Sequence, residues 1–162
     1  MKTSIFLGTR YEALSILSKY TKVSMIITEK DSFVDKIWQK NATKFMYIND
    51  LSKSNINYIL NKSKTDIVLS AGFKFILPLH VINNGPIYIN SHPSYLPQYK
   101  GKNAIKDAIK NNEKYIGVTL HYMSEKVDSG KIIYQDKISI DELSLSEIYD
   151  KIFSSLEPDV IN

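Results

Sequence analysis

The stretch Ile89-Asn90-Ser91-His92-Pro93-Ser94-Tyr95-Leu96-Pro97 is the part of the chain from which its fold and its chemistry can best be inferred. It continues a short apolar run, 86–89, that is typical of a buried strand in a parallel sheet. Side chains alternate between the two faces of a strand, so Asn90 and His92 point the same way. Pro93 and Pro97 prevent the strand from continuing. The pattern therefore places an amide donor beside an imidazole at the carboxyl end of a strand, where open α/β sheets bind ligands.

Strand-like and helix-like segments alternate on both sides of this stretch. The predicted strands are 2–7, 22–28, 44–48, 66–70, 86–89, 116–123 and 131–138. The predicted helices are 11–20, 32–39, 50–62, 102–110 and a last one that begins at a Ser144–Glu147 capping box and ends at Pro158, while 72–83 predicts a turn into a short helix. Such alternation predicts an α/β fold with a doubly wound, mostly parallel sheet and helices on both faces.

Two helices carry apolar stripes that predict which of their residues are buried. These stripes are Ala13, Ile16, Leu17 and Tyr20 in the first helix, and Leu145, Ile148, Tyr149, Ile152 and Leu156 in the last.

Length and composition limit the classes of protein that the chain can represent. Its 162 residues predict a single domain, 1–162, and the absence of cysteine excludes disulfides and thiolate metal sites. The run 4–7 is too short for a signal peptide or a membrane span, so we expect a cytoplasmic protein without a membrane partner. The net charge of +4 comes mostly from scattered lysines, and Arg10 is the only arginine. This pattern does not favour nucleic acid as a partner.

Two separated signatures carry a resemblance to a known family. The first runs from Asn90 through Tyr99-Lys100-Gly101, and the second comprises the strand 117–123 and the loop that ends in Asp128-Ser129-Gly130. In this order they resemble the formyltransferases that use 10-formyltetrahydrofolate, and the similarity runs from about Ser70 to Glu157. The resemblance implies a Rossmann-like catalytic domain, 10-formyltetrahydrofolate as formyl donor, a small-molecule amine as acceptor and no metal, with a homodimer as a possible assembly.

Formyl transfer to an amine needs a donor for a developing oxyanion and a group that relays a proton at neutral pH. By resemblance, Asn90 donates to the oxyanion, His92 stabilises it and moves the proton, and Asp128 orients His92 or a water. We expect the other two histidines to be structural. His80 is interpreted as an ordinary helix position, and His121 as a packing residue or a support for the catalytic groups.

The resemblance also implies binding segments. The residues expected to hold the folate are Phe73, Lys74, Phe75, Ile76, Leu77, Ser124, Glu125, Lys126 and Val127. Those expected to hold the acceptor are Gly8, Thr9, Arg10, Lys100 and Lys102. The first turn has one glycine where the phosphoribosylglycinamide branch has a glycine-rich phosphate cradle, so we expect Arg10 to take part in binding an anionic amine.

The identity of the acceptor stays open, because the sequence resembles two branches of the family. The carboxyl-terminal half of the chain resembles the phosphoribosylglycinamide branch most, whereas the opening Gly8-Thr9 turn and the 93–97 segment resemble the nucleotide-sugar branch. We expect neither the extra barrel of the methionyl-tRNA branch nor the extra amino-terminal domain of the deformylase branch. An alternative of another class is a non-catalytic module that binds folate or a nucleotide on the same scaffold.

Overall fold

A computed structural model describes residues 1–38 and 43–162. The strands are β1 Thr3–Gly8, β2 Lys22–Thr28, β3 Lys44–Tyr47, β4 Ile67–Ala71, β5 Ile87–His92, β6 Tyr115–Tyr122 and β7 Ile132–Ser139. The α-helices are α1 Tyr11–Tyr20, α2 Phe33–Trp38, α3 Lys53–Lys62, α4 Leu79–Ile82, α5 Ala104–Lys110, α6 Leu145–Lys151 and α7 Glu157–Ile161. A 3-10 turn, Ile48–Asp50, precedes α3, and a π-helical segment, Ile152–Leu156, joins α6 to α7.

The strands form one hydrogen-bonded sheet with the order β3-β2-β1-β4-β5-β6-β7. Strand β1 pairs in parallel with both β2 and β4, and β2 pairs in parallel with β3. Strands β6 and β7 pair antiparallel. The predicted α/β fold with a mostly parallel sheet is therefore confirmed.

The chain divides into two compact units, Met1–Ile89 and Asn90–Asn162. In the first unit, the centre of the sheet is buried because β1 carries only apolar side chains or serine at positions 4–7, all of them fully or almost fully buried. Burying an apolar side chain of this size contributes roughly 1.5–3 kcal/mol. The carboxylate of Asp66 accepts hydrogen bonds from the backbone amide of Thr3 at 2.7 Å and from its hydroxyl at 3.0 Å, and so ties the start of β1 to the chain entering β4.

The second unit has its core between β6 and the last helices. Val118 of β6 and Ile152 of the π-helical segment have no exposed surface. The Ser144 hydroxyl accepts from the Glu147 amide while the Glu147 carboxylate accepts from the Ser144 amide, which confirms the predicted capping box at the start of α6. Glu157 is fully buried at the start of α7, where one carboxylate oxygen accepts from the hydroxyl of Ser91.

The structure corrects the prediction for the end of the last helix. Helical structure continues past Pro158 to Ile161. Proline is excluded from a helix interior by its missing N–H and its ring, but it is tolerated in a first turn. The π-helical segment changes the hydrogen-bond pattern just before Glu157, so that Pro158 falls in the first turn of a new helix.

The buried stripes were also wrong at their ends. Tyr20 is 58% exposed and Leu145 is 54% exposed, because each lies at a helix terminus. Leu14, which the prediction left out, is fully buried in α1. Helix α3 begins at Lys53 rather than residue 50, since Ser52 supplies its amino-terminal cap. Residue 39, the predicted end of α2, lies outside the described residues.

Within the described residues, we find no helix that is both long enough and apolar enough to cross a membrane.

Candidate active site

Strand β5 delivers Asn90 and His92 to the site. It extends to His92, which is 5% exposed, and Asn90 is half-buried. The chain turns immediately after the strand, where the amide of Ser94 donates to the carbonyl of His92 at 2.9 Å. Pro93 fits this turn because it has no N–H to continue the strand. Both polar side chains thus have fixed positions at the end of a strand in which Tyr88 and Ser91 are buried.

Asp128 comes from the loop after β6 and is held by its backbone as well as by its side chain. Its φ of +49° lies in the left-handed region, which aspartate adopts more readily than most residues. Two residues later, Gly130 lies so close to the carbonyl of Tyr122 that a Cβ there would meet this oxygen at 1.7 Å. The loop is therefore folded tightly against the end of β6, and Asp128 is left only 9% exposed.

The His92 ring is held at both nitrogens by acceptors. Nε2 lies 2.8 Å from the backbone carbonyl oxygen of Tyr99, and Nδ1 lies 3.3 Å from Oδ2 of Asp128. A carbonyl oxygen can only accept, so Nε2 carries a hydrogen and donates it. A ring that carries hydrogens on both nitrogens satisfies both contacts. The site is therefore built for a positively charged imidazole beside a carboxylate.

His121, on β6, is a third member of this cluster. Its Nδ1 lies 2.9 Å from the carbonyl oxygen of Tyr122 and therefore donates to it. Its Nε2 lies 3.3 Å from Nδ2 of Asn90 and 3.4 Å from Oδ1 of Asp128. The neutral ring accepts from Asn90, whereas the protonated ring donates to Asp128. His121 is 2% exposed and contacts two of the three predicted catalytic groups, which agrees with the supporting role expected for it.

Asp128 remains ionised in this environment. Burial alone would raise the pKa of its carboxyl group, but the hydrogen bond from His121, the nearby charge of His92 and the amide of Gly101 together lower the pKa below its ordinary value. Asn90 Nδ2 also lies 3.4 Å from Oδ1 of Asp128. An ionised, buried carboxylate is stable here because each of its oxygens faces hydrogen-bond donors.

The turn 99–101 holds this cluster from the other side. Gly101 donates its amide to Oδ2 of Asp128 at 2.8 Å, while the carbonyl of Tyr99 accepts from His92. Between them, Lys100 donates from Nζ to the hydroxyl of Ser129 at 2.8 Å. Lys100, which was expected to bind the acceptor, is thus used to join the turn to the Asp128 loop. Lys102, the other lysine expected there, is exposed.

The predicted acceptor residues of the first unit lie at the carboxyl end of β1. Gly8 has a φ of +135°, and a Cβ on it would meet the carbonyl oxygen of Ala71 at 1.9 Å, so the position requires glycine. Thr9 donates its amide to the same carbonyl at 3.2 Å. Arg10 caps α1 with an extended backbone, and its side chain reaches over Gly72.

The predicted folate segment of the first unit combines aromatic rings with lysines. The rings of Phe73 and Phe75 are 6.0 Å apart in an edge-to-face arrangement. The ammonium groups of Lys53 and Lys74 lie 5.5 Å and 5.9 Å from the centre of the Phe75 ring, and Lys74 also pairs with Glu29 at 3.4 Å. Ile76 is 64% exposed and Leu77 is buried. This segment therefore offers an apolar surface beside positive charge.

The predicted folate segment of the second unit, 124–127, is a compact turn. The hydroxyl of Ser124 donates to the carbonyl of Lys126 at 2.9 Å, and Ser129 donates its amide to the same carbonyl at 3.2 Å. Val127 is 44% exposed, and Glu125 and Lys126 are also exposed. The turn leads directly into Asp128, so its backbone conformation determines where that carboxylate lies.

The fold and the site together define a class of protein. A mostly parallel α/β sheet here carries an amide, an imidazole and a carboxylate close together after two of its strands, and such groups can donate hydrogen bonds to negative charge and exchange a proton. The family model for formyl transferases matches residues 6–161. The chain belongs to this family, and the match extends well beyond the 70–157 range of the resemblance seen in the sequence.

Individual relatives point to more than one branch. The chain is 31% identical to the methionyl-tRNA formyltransferase of Pediococcus pentosaceus over 94% of this chain and 53% of that protein. It is 38% identical to the human trifunctional purine biosynthetic protein adenosine-3 over 54% of this chain and 9% of that protein. The crystal structure of the Campylobacter jejuni phosphoribosylglycinamide formyltransferase has a TM-score of 0.84 at 28% identity and covers 99% of this chain and 93% of that one. The chain spans about half the length of the methionyl-tRNA formyltransferases it matches.

Sequence reasoning did not foresee how much of the cluster is held by backbone groups. The contributions of the Tyr99 carbonyl and the Gly101 amide leave no trace in the identity of a side chain. The position of His121 in the cluster could have been predicted from the sequence. It shares a strand face with Thr119, which is buried, and lies near the carboxyl end of its strand, as His92 does.

Proposed function

We propose that this chain catalyses transfer of a formyl group from 10-formyltetrahydrofolate to the primary amine of a small, phosphorylated acceptor. The observation that carries the proposal is the buried cluster in which Asp128 contacts both His92 and Asn90. A module that only binds folate or a nucleotide has no need of an amide, an imidazole and a carboxylate brought together in one cluster.

Asn90 is the proposed donor to the negative oxygen that develops on the formyl carbon. Its amide contacts to His121 and Asp128 are long, at 3.3 Å and 3.4 Å, so either hydrogen can turn to a stronger acceptor at small cost. An oxyanion is such an acceptor. Hydrogen-bond donors placed where an oxyanion develops contribute strongly to catalysis.

His92 and Asp128 are the proposed proton-handling pair. With hydrogens on both nitrogens, His92 brings positive charge to the site and holds one proton between Nδ1 and Oδ2 of Asp128. The attacking amine must lose a proton, and the departing nitrogen must gain one. Asp128 is the group able to accept because its carboxyl stays ionised, and His92 Nδ1 is the atom able to donate.

The residues of the two predicted folate segments fit the proposed donor, which supplies the formyl carbon. In the first unit, the half-buried Phe75 and the exposed Ile76 present an apolar surface for a flat ring, and Lys53 and Lys74 present positive charge for the carboxylates of the glutamyl part. In the second unit, the turn 124–127 presents backbone groups next to Asp128. Among the described residues there is no group of three or more ligands able to hold a metal.

The acceptor is proposed to resemble that of the phosphoribosylglycinamide branch. Support comes from the fold likeness to the C. jejuni enzyme at 28% identity. A nucleotide-linked amino sugar is the second candidate, and the observation that favours it is the opening Gly8-Thr9 turn with one glycine. Because the chain is 31% identical in sequence to a methionyl-tRNA formyltransferase, the assay must also include an aminoacyl-tRNA as a candidate acceptor.

The test is a panel of amines assayed with 10-formyltetrahydrofolate, with release of tetrahydrofolate as the measurement. The panel contains glycinamide ribonucleotide, amino-sugar nucleotides, methionyl-tRNA and a no-amine control. We expect amine-dependent release with a phosphorylated small molecule. Release without any amine would instead indicate hydrolysis of the donor, and folate binding without release under every condition would favour the non-catalytic module.

A further inference from the structure

Tyr99 has a backbone conformation that its residue type disfavours. Its φ is +53°, in the left-handed region where bulky residues are uncommon. Such conformations persist where surrounding contacts over-determine them, and they are concentrated at functional sites. The carbonyl of Tyr99 is the group that accepts from Nε2 of His92. The unusual backbone is therefore located where it orients a proposed catalytic ring.

The phenol of Tyr99 supplies a contact that can hold this conformation. Its hydroxyl donates to Oε1 of Glu113 at 2.6 Å and accepts from Nδ2 of Asn111 at 3.2 Å. The bond to Glu113 raises the pKa of the phenol, against the opposing effect of Asn111, and so keeps the hydroxyl proton in place. The backbone of Glu113 is held in turn, since its amide donates to the carbonyl of Ala108 in α5 at 3.1 Å.

The contacts form a continuous path from α5 to the carboxylate of Asp128. It runs from Glu113 to the Tyr99 phenol, through the Tyr99 backbone to the His92 ring, and from that ring to Asp128. We propose that Tyr99 is a positioning residue whose phenol, anchored by Glu113, holds its own carbonyl against Nε2 of His92 and thereby directs Nδ1 toward Asp128. The kinetic consequence rests on the proposed function, whereas the orientation of the ring does not.

The first test observes the His92 ring directly. The Nε2–H proton gives a resolved NMR signal when a hydrogen bond protects it from exchange with water, and His92→Gln assigns the signal by its loss. We expect the signal in the unchanged protein and in Tyr134→Phe, a matched control that removes the hydroxyl of an exposed tyrosine on β7. We expect Tyr99→Phe and Glu113→Ala to broaden or abolish it, and Glu113→Gln, which keeps an acceptor oxygen, to retain it.

The second test separates positioning from substrate binding. Once the amine is known, Tyr99→Phe should lower kcat about tenfold and leave KM for both substrates within about twofold, because misplacement of a catalytic group affects the chemical step. Tyr99→Phe combined with Glu113→Ala should be no worse than either change alone, as expected for two residues that act through one contact.

Several results would overturn the proposal. An unchanged Nε2–H signal in both Tyr99→Phe and Glu113→Ala would show that the phenol does not hold the carbonyl. The same loss of signal in Tyr134→Phe would show that the effect is not specific. If no amine is formylated by the unchanged protein, the proposed function fails, but the NMR comparison still decides the positioning role.

Discussion

At the scale of single residues, the site combines three buried ionisable side chains whose contacts are mutually dependent. His92, His121 and Asp128 are each less than a tenth exposed, and Asp128 contacts both rings. In a medium of low polarity, such a network stabilises the fold only while every member is satisfied. A change at one residue therefore affects the protonation and the orientation of the other two.

Replacing Asn90 with alanine tests the proposed oxyanion donor. Loss of one such donor typically lowers turnover ~100-fold or more. The two protein contacts that the amide makes are long, so we expect the free energy of unfolding to change by no more than about 1 kcal/mol. Turnover is measured at saturating substrate beside thermal unfolding, with His80→Ala, an exposed histidine of α4, as the control. Near-native turnover in Asn90→Ala would remove this residue from the mechanism.

The lowered pKa of Asp128 predicts how stability depends on pH. A carboxyl group whose pKa is below its ordinary value of 3.8 in the folded state stabilises that state above pH 3.8, and this contribution is lost as the pH falls through the lowered pKa. Asp128→Asn should therefore be less stable than the unchanged protein at about pH 6, and the difference should shrink at about pH 3. Denaturant unfolding at both pH values measures it, with the exposed Asp159→Asn as control. A difference that stays constant with pH would mean that the charge of Asp128 contributes nothing.

At the scale of structural elements, the site depends on two loops whose shape is set by unusual backbone conformations. Tyr99 and Gly101 both have positive φ in the turn after β5, and Asp128 has positive φ in the loop after β6. Glycine adopts such a φ readily, whereas at Tyr99 and Asp128 the conformation costs free energy that regular elements do not. The strands place the side chains approximately, and the loops then bring His92 and Asp128 within hydrogen-bonding distance.

Gly130→Ala is expected to disturb the second of these loops. The added Cβ would meet the carbonyl oxygen of Tyr122 at 1.7 Å, so the loop must move away from β6 and carry Asp128 with it. Forced overpacking of this kind costs roughly 1–3 kcal/mol. We expect lower stability in urea unfolding together with a fall in kcat.

Gly85→Ala is the matched control for that change. Gly85 has a φ of +88° but has nothing within 4 Å of an added Cβ, so its substitution adds backbone strain without a collision. It should lower stability by about 1 kcal/mol and leave kcat unchanged. If Gly130→Ala kept normal kcat, the position of the loop would not control the position of Asp128.

Regular elements could be predicted from the sequence because their signals are local. The apolar run 22–28 and the capping box at Ser144 each determine structure through neighbouring residues, and the structure contains both as predicted. The continuation of the last helix past Pro158 could not be predicted in this way. It depends on a change to π-helical hydrogen bonding and on burial of Glu157, and both are set by tertiary packing.

The groups of the candidate site also differ in how well the sequence predicts them. The side chains of Asn90, His92 and Asp128 were recognisable because their types and order carry chemical meaning. The groups that orient them, the Tyr99 carbonyl and the Gly101 amide, were not recognisable. Every residue type has a backbone carbonyl, and every type except proline has a backbone N–H. The use of Lys100 to bond Ser129 is likewise a contact between residues 29 positions apart. Reactive groups can therefore be predicted from sequence more readily than the backbone that positions them.

At the scale of the whole molecule, membership of the formyl transferase family does not identify the acceptor. One relative is named a methionyl-tRNA formyltransferase and another a trifunctional purine biosynthetic protein, while the family model covers nearly all of this chain. Residues outside the Asn90–His92–Asp128 cluster must therefore distinguish one acceptor from another. The carboxyl end of β1 is the segment of the first unit where this chain departs most clearly from a glycine-rich phosphate cradle.

Arg10→Ala tests whether that segment recognises the acceptor. Arg10 lies at the start of α1, directly after Gly8 and Thr9, and a helix start following a strand favours an anionic group. A guanidinium can replace missing backbone donors with a two-pronged contact to a phosphate. We expect KM for the amine to rise about tenfold, with kcat and KM for the folate unchanged, because the contact is equally strong before and during the reaction.

The control for Arg10 is Lys19→Ala, which removes an exposed positive charge from the last turn of the same helix. Its KM for the amine should stay at the normal value, which separates a local contact from general attraction of an anion by the basic surface. Raising the ionic strength should increase KM for the unchanged protein more than for Arg10→Ala, since the variant has already lost the charged contact. A rise in KM for the folate alone would assign Arg10 to the other substrate. Equal effects of the two substitutions would leave Arg10 as one positive charge among many.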